Sequence, residues 1–101
     1  MRIWQDYAFE AEGTVAIAAT ETSASLLLPL VCDAVLITNP TSSLAFVRRS
    51  HDPEPATEVD LPVLPNSQIL MGTGLGIRTI NVVLASGSGT IYATAGHGTQ
   101  Y

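Results

Sequence analysis

Short apolar runs, separated by clusters of Gly, Pro, Asn and Ser, recur along this chain. Over residues 14–20, Val15, Ile17 and Ala19 alternate with other small or polar residues, as expected for a half-buried strand. Further short extended segments are predicted at 24–28, 32–38, 44–48, 58–64, 68–71, 78–85 and 90–95. No window combines helical periodicity with helix caps. The pattern predicts an all-β fold, a compact antiparallel β-sandwich of the jelly-roll-like kind.

The two C-terminal runs predict a β-hairpin. Residues 78–85 and 90–95 both alternate, and Ser86-Gly87-Ser88-Gly89 between them has the composition of a tight turn. The run 32–38 is apolar on both faces, which indicates a strand that is central in a sheet or lies at a subunit contact. Asn39-Pro40 after it predicts a turn.

The first dozen residues differ from the rest because they hold half of the aromatic residues, Trp4, Tyr7 and Phe9. We expect residues 1–12 to form an N-terminal arm and residues 13–101 to form a single β-sandwich domain. Aromatic side chains are favoured in the cores of protein interfaces. Two interpretations stay open, namely an arm packed under its own sandwich and an arm that reaches into a neighbouring subunit.

The composition favours assembly and argues against two classes of partner. In this 101-residue chain only 13% of the residues are Asp, Glu, Lys or Arg, against about a quarter in typical domains. Such a low charge favours a surface that is partly covered by another subunit. The alternative is an exposed β surface rich in Ser and Thr. The formal net charge is −5, with four arginines and no lysine. This balance disfavours nucleic acid and anionic membrane surfaces as partners.

Sequence features also bear on location and redox chemistry. The lone Cys32 excludes an internal disulfide and is predicted to be a small core residue. The start of the chain lacks the apolar stretch of a signal peptide, and Pro29 and Asp33 interrupt the longest apolar region. We therefore expect a soluble protein made in the cytoplasm.

No catalytic or ligand-binding motif in the sequence is specific enough to predict an enzyme. Gly72-x-Gly74-x-Gly76 precedes a β-patterned segment, and no Asp or Glu follows Asp60, so a dinucleotide site is disfavoured. His51 and His97 are too few for a zinc site without further ligands at suitable spacing. No nucleophile-elbow motif is present. The sequence predicts no catalytic residues, no metal and no cofactor.

The one basic pair, Arg48-Arg49, allows two interpretations. Adjacent residues of a strand point to opposite faces, so at most one of the two lies on the inner face. In the first interpretation, both arginines are exposed at the end of a strand. Alternatively, one of them pairs with the acidic residues of the loop 52–60 on a neighbouring subunit, because Arg suits bidentate pairing with carboxylates.

Four segments together resemble a known group of proteins. They are Val35-Leu36-Ile37-Thr38-Asn39-Pro40, Leu44-Ala45-Phe46-Val47-Arg48, residues 61–67 (LPVLPNS) and residues 85–98 (ASGSGTIYATAGHG). Their order resembles small structural proteins encoded in the virion gene clusters of tailed bacteriophages, over about residues 31–98. This sequence departs from that pattern at Arg49 or Ser50 and at Asn66, where the family commonly has Gly. Asn tolerates left-handed backbone, so the second departure is mild.

The resemblance implies a capsid decoration (cement) protein or the base of a head fibre. It implies a β-sandwich, a homo-oligomer that is often a trimer, the major capsid protein as partner and a place on the capsid surface of the virion. The alternative is a β-sandwich recognition module, in a head-fibre base, in a tail or for host-surface carbohydrate. The predicted subunit or capsid contacts are Trp4, Tyr7, Phe9, Arg48, Arg49, Asp52 and Glu54.

Overall fold

The computed structural model describes residues 10–28, 33–73 and 77–98, which form eight β-strands. Their bounds are β1 (Glu10–Ala19), β2 (Ala24–Leu27), β3 (Ala34–Asn39), β4 (Ala45–Ser50), β5 (Leu61–Val63), β6 (Ser67–Gly72), β7 (Thr79–Leu84) and β8 (Gly89–His97). Each lies within or overlaps a segment that the apolar pattern marks as extended.

The strands form two four-stranded antiparallel sheets. The first sheet has the order β1-β8-β3-β6 and the second has the order β2-β7-β4-β5. The prediction of an all-β antiparallel sandwich is confirmed. Of the two interpretations of the run 32–38, the central strand is confirmed, since β3 lies between β8 and β6.

Alternating side chains from both sheets meet in one core. On β7, Ile80, Val82 and Leu84 are at most 2% exposed, as the alternation predicts. The other buried apolar members of this core are Ile17, Ala19, Leu28, Val35, Ile37, Ala45, Val47, Val63, Ile91, Ala93 and Ala95. Burial of these side chains is the main term that stabilises the sandwich.

The predicted C-terminal hairpin is wrong. β7 pairs with β2 and β4 in the second sheet, whereas β8 pairs with β1 and β3 in the first. The connection through Gly87, whose φ is 75°, therefore passes from one sheet to the other. Both strands show the alternation of a sheet with one buried face, and that alternation is the same whether two strands are paired or face each other across a core.

Two asparagines shape the turns at one end of the sandwich. Asn39 is fully buried, and its side-chain oxygen accepts hydrogen bonds from the backbone N–H and the hydroxyl of Thr41, at 3.0 and 2.6 Å. This confirms the turn predicted at this point. Asn66 has a φ of 55°, the left-handed conformation that glycine would adopt without strain.

The arm and the cysteine fall largely outside the part of the chain that the structure describes. Trp4, Tyr7, Phe9 and Cys32 lie among the residues not described. Strand β1 begins at Glu10, so the first sheet starts three residues before the predicted domain boundary.

Candidate protein-binding surface

On the outer face of the first sheet, the regularly paired positions that the structure describes carry no formal charge, and the charged Glu12 lies at a bulge at one end of β1. Its side chains point away from the core residues that alternate with them. We call this surface the neutral face, and it consists of Thr14, Ala16, Ala18, Leu36, Thr38, Gln68, Leu70, Thr90, Tyr92 and Thr94. A sheet face directed to water usually carries charged residues, so a neutral one is suited to contact with another protein.

Polar side chains of the neutral face bond to one another across neighbouring strands. The hydroxyls of Thr14 and Thr94 are 2.9 Å apart, and Gln68 Nε2 donates to Thr38 Oγ1 at 3.0 Å. Leu36, at the centre of the face, is only 7% exposed, whereas Tyr92 is 39% exposed. Because these polar groups already have partners, covering the face with another protein leaves few of them unsatisfied.

The four sheet edges differ in how well they are protected against pairing with another chain. In the second sheet the edge strands are short, and β5 contains Pro62, which has no N–H to donate. In the first sheet, the Arg49 guanidinium donates a hydrogen bond to the Gly72 carbonyl at the end of edge strand β6. The remaining edge, β1, has ten residues and contains neither Pro, Lys nor Arg.

A short acidic loop covers part of the outer face of the second sheet. We call residues 51–60 the acidic loop, because they carry Asp52, Glu54, Glu58 and Asp60. Ala56 is buried, and its N–H donates to Ser23 Oγ at 2.8 Å. The two outer faces of the sandwich therefore differ in charge, one being neutral and the other acidic.

Asn81 on β7 attaches the acidic loop to the second sheet. This fully buried side chain accepts hydrogen bonds from Ser25 Oγ at 2.5 Å and from the backbone N–H of Glu54 at 3.1 Å. Its amide nitrogen donates to the Arg48 carbonyl at 3.0 Å and to Ser50 Oγ at 2.9 Å. The sequence did not indicate a role for Asn81, because this residue lies within a mostly apolar strand and belongs to no recognised turn or binding motif.

Arg48 finds carboxylate partners within its own chain. Its Nε lies 3.5 Å from Glu54 Oε1 and 3.9 Å from Asp60 Oδ1. The arginine side chain is 42% exposed, so water screens this attraction. The structure thus brings together two of the predicted site residues, Arg48 and Glu54, and it adds Asp60.

Arg49 and Asp52 do not join this cluster. Arg49 bonds to Gly72, at the edge of the other sheet. Asp52 lies beside His51, with 3.6 Å between Oδ1 and Nδ1, and both side chains are largely exposed. The predicted contact residues in the described part of the chain are therefore spread over the end of β4 and the loop after it.

His97 lies between two carboxylates at one end of the first sheet. Its Nε2 is 3.4 Å from Glu12 Oε2 and its Nδ1 is 3.5 Å from Asp33 Oδ1. Glu12 sits at a β-bulge in β1, where the register with β8 shifts. The carboxylates approach opposite nitrogens of the ring, so the three groups do not converge on one point as metal ligands would.

The described residues show no metal-binding cluster, and the clefts that they line are open to solvent. No group of three or more His, Cys, Asp or Glu residues among them could hold a metal ion. Their pockets are open clefts, such as one of about 460 Å³ between Phe46, Val83 and the acidic loop. The described part of the chain also contains no helix long and apolar enough to cross a membrane.

Comparisons with protein-family models, with curated proteins and with solved structures gave no match to this chain. The class that the fold defines is a small antiparallel β-sandwich with one neutral and one acidic outer face.

Proposed function

We propose that this chain is a non-catalytic structural subunit of a tailed-phage virion, a decoration protein that binds the outer capsid surface as an oligomer and stabilises the head. The neutral face contacts protein, and the acidic loop faces solution. The resemblance over residues 31–98 supplies the virion context, and the charge difference between the two outer faces supports the binding mode.

The absence of formal charge on the neutral face is the observation that carries this proposal. Burying a charge in an interface costs free energy unless a partner compensates it, whereas Thr, Ala and Leu side chains are covered at little cost. Asp52, Glu54 and Glu58 of the acidic loop are exposed on the opposite face, where they stay hydrated. A decoration protein binds at many repeated sites, so a modest contact per copy is enough for firm attachment when copies are linked.

We propose the predicted contacts through Arg48, Arg49, Asp52 and Glu54 as secondary to the contact made by the neutral face. Any contact made by the Arg48 guanidinium with a neighbouring subunit competes with Glu54 and Asp60 of its own chain. We therefore place the principal contact on the neutral face. The aromatic arm residues Trp4, Tyr7 and Phe9 remain proposed subunit contacts.

Co-sedimentation with expanded tailed-phage heads that lack their own decoration protein tests this function. We expect the chain to pellet with heads and to raise the temperature at which they break open. Gln68→Glu adds a charge to the neutral face with almost no change in shape and should weaken binding at least tenfold. The matched control Glu58→Gln removes a charge from the acidic loop and should bind as the unmodified chain does. Equal binding by both variants would refute the assigned face.

One observation favours a second candidate, a recognition module for carbohydrate. Tyr92 presents an exposed aromatic ring on the neutral face, and such rings stack on sugars. Glycan-array binding that is lost in Tyr92→Ala, together with no binding to heads, would favour this function over the first.

A further inference from the structure

We propose that the free edge of β1 pairs with the same edge of a second copy of this chain. Residues 13–19 of the two copies would run antiparallel about a two-fold axis that passes through Ala16. The two first sheets would then join into one eight-stranded sheet, because each contributes four strands. Pairing of exposed strand edges is a common way in which sheets associate.

The first argument is the contrast between this edge and the other three. Edge strands of soluble proteins are protected by shortness, by Pro, by charged side chains or by covering groups. Such protection is visible at β2, at β5 with Pro62, and at β6, where Arg49 covers the Gly72 carbonyl. From Gly13 to Ala19 the strand itself carries neither Pro nor charge, and within the described ranges 10–28, 33–73 and 77–98 no strand pairs with its far side.

The second argument is the position of the charges on β1. Glu10 and Glu12 lie at one end of the strand, and the bulge at Glu12 ends the regular register there. In an antiparallel pair centred on Ala16, Glu12 stands opposite Thr20 of the second copy. The two Glu12 residues are then roughly 25 Å apart, given about 3.3 Å per residue. Within residues 13–19 no charged residue stands opposite another. Glu21 lies just beyond the paired segment, and its carboxylate accepts a hydrogen bond from the Gly87 N–H of its own chain.

The third argument is the fit of the side chains in this register. On the inner side, half-buried Val15 stands opposite Ile17 of the second copy, which extends the apolar core across the axis. On the outer side, Thr14 stands opposite Ala18, and Ala16 meets Ala16. These small residues let the two neutral faces continue as one surface without a step. The pairing would add about six to eight backbone hydrogen bonds.

A second copy fits the edge of β1 better than a different segment does, because the edge is self-complementary in length and charge. The other available edge of the first sheet, β6, has six residues, and Arg49 already occupies one of its carbonyls. Pairing of β1 with β6 of a neighbour would instead be a head-to-tail contact, which gives a ring of three or more chains or an open filament. The mass of the assembly separates these arrangements.

Light scattering coupled to size exclusion, at tens of micromolar chain, tests the pairing. We expect the mass of two chains for the unmodified protein. Ala16→Lys places two lysines opposite each other at the axis and should give the mass of one chain, as should Ala16→Glu. The matched control is Gln68→Lys, which puts the same charge on the opposite edge strand of the neutral face and should keep the mass of two chains.

Mixing equal amounts of Ala16→Lys and Ala16→Glu gives the decisive result. Lysine would then stand opposite glutamate across the axis, so the mass of two chains should return. A mixture that stays at one chain would overturn the pairing, and so would dimers that persist in Ala16→Lys. An unmodified protein with the mass of one chain or of three chains would also overturn it. A three-chain mass would leave the proposed capsid function intact.

Discussion

The side-chain oxygen of Asn81 accepts a hydrogen bond from the backbone N–H of Glu54, at 3.1 Å. Through this contact, a fully buried residue in the middle of the second sheet helps to fix the acidic loop, together with the bond from the Ala56 N–H to Ser23 Oγ. The same amide also bonds to Ser25, Arg48 and Ser50, so all of its hydrogen-bonding atoms have partners. The position of the exposed acidic residues thus depends on a polar group in the interior.

Replacing this residue should destabilise the protein and release the loop. Asn81→Ala removes four hydrogen bonds and leaves several partners unpaired, so the free energy of unfolding should fall by about 3 kcal/mol. Urea denaturation measures this change, and hydrogen exchange should accelerate at residues 54–56. The control Ser25→Ala removes one bond and should cost about 1 kcal/mol. Unchanged exchange in the loop would contradict the role we assign to Asn81.

The ion pairs of Arg48 should matter far less than Asn81, although they involve the same loop. With a side chain 42% exposed, Arg48→Gln should lower the free energy of unfolding by about 0.5 kcal/mol. The difference between the two proteins should shrink further at high salt, because the charges lie near water. Urea denaturation at low and high ionic strength measures both effects. A salt-independent loss of about 2 kcal/mol or more would indicate that the guanidinium acts by packing.

Gly89 is required at the start of β8 because Thr41 lies against it. A Cβ at position 89 would sit 2.5 Å from Thr41 Cγ2, and the Thr41 hydroxyl is bonded to Asn39, which restrains the side chain. Gly89→Ala should therefore destabilise the protein by about 2 kcal/mol. Thr41→Ser removes the methyl group and keeps the hydroxyl, so it should relieve most of that loss in the double variant. Thermal denaturation of the four proteins of this cycle tests the contact, and additive effects would exclude it.

The left-handed backbone at Asn66 leads to a prediction about the turn between β5 and β6. With a φ of 55°, alanine at this position is strained, so Asn66→Ala should cost about 1 kcal/mol. Asn66→Gly should change stability by less than about 0.5 kcal/mol, since glycine adopts this conformation freely. Urea denaturation of both variants measures the difference. Equal losses in the two variants would show that the Asn66 side chain, rather than its backbone, is what the turn requires.

Alternation in the sequence was enough to predict the strands and their inward sides, as Ile80 and Ile91 illustrate. It could not predict which strands pair, because the same alternation occurs on strands that face each other across a core. The hairpin between β7 and β8 was wrong for this reason. The turn residues 86–89 were recognised as a connection, but a connection can cross between sheets as well as reverse within one.

The candidate surface was only partly accessible to sequence analysis. The outward positions of β1 and β8, such as Ala16 and Tyr92, can be read from alternation, yet their adjacency depends on pairing between distant segments. Arg48 was predicted at an exposed strand end or in contact with a neighbour's acids, and the structure provides acids from its own loop. The loop lies against the second sheet because its backbone N–H at Glu54 bonds to Asn81. No local sequence pattern predicts a contact between residues so far apart in the chain.

Strand β8 lies between β1 and β3. The first sheet therefore cannot be completed during synthesis until β8, the last of the described strands, has been made. The ribosome makes β1 first and β8 last among the described strands, so β1 has no pairing partner until about seventy residues later. Until then, β1 and β3 lack the strand that joins them, and the growing chain cannot close this half of the core. Folding is therefore expected to be late and slow, as is typical of long-range β topologies. A nascent chain stalled before residue 89 should accordingly remain open to proteases and to chaperones.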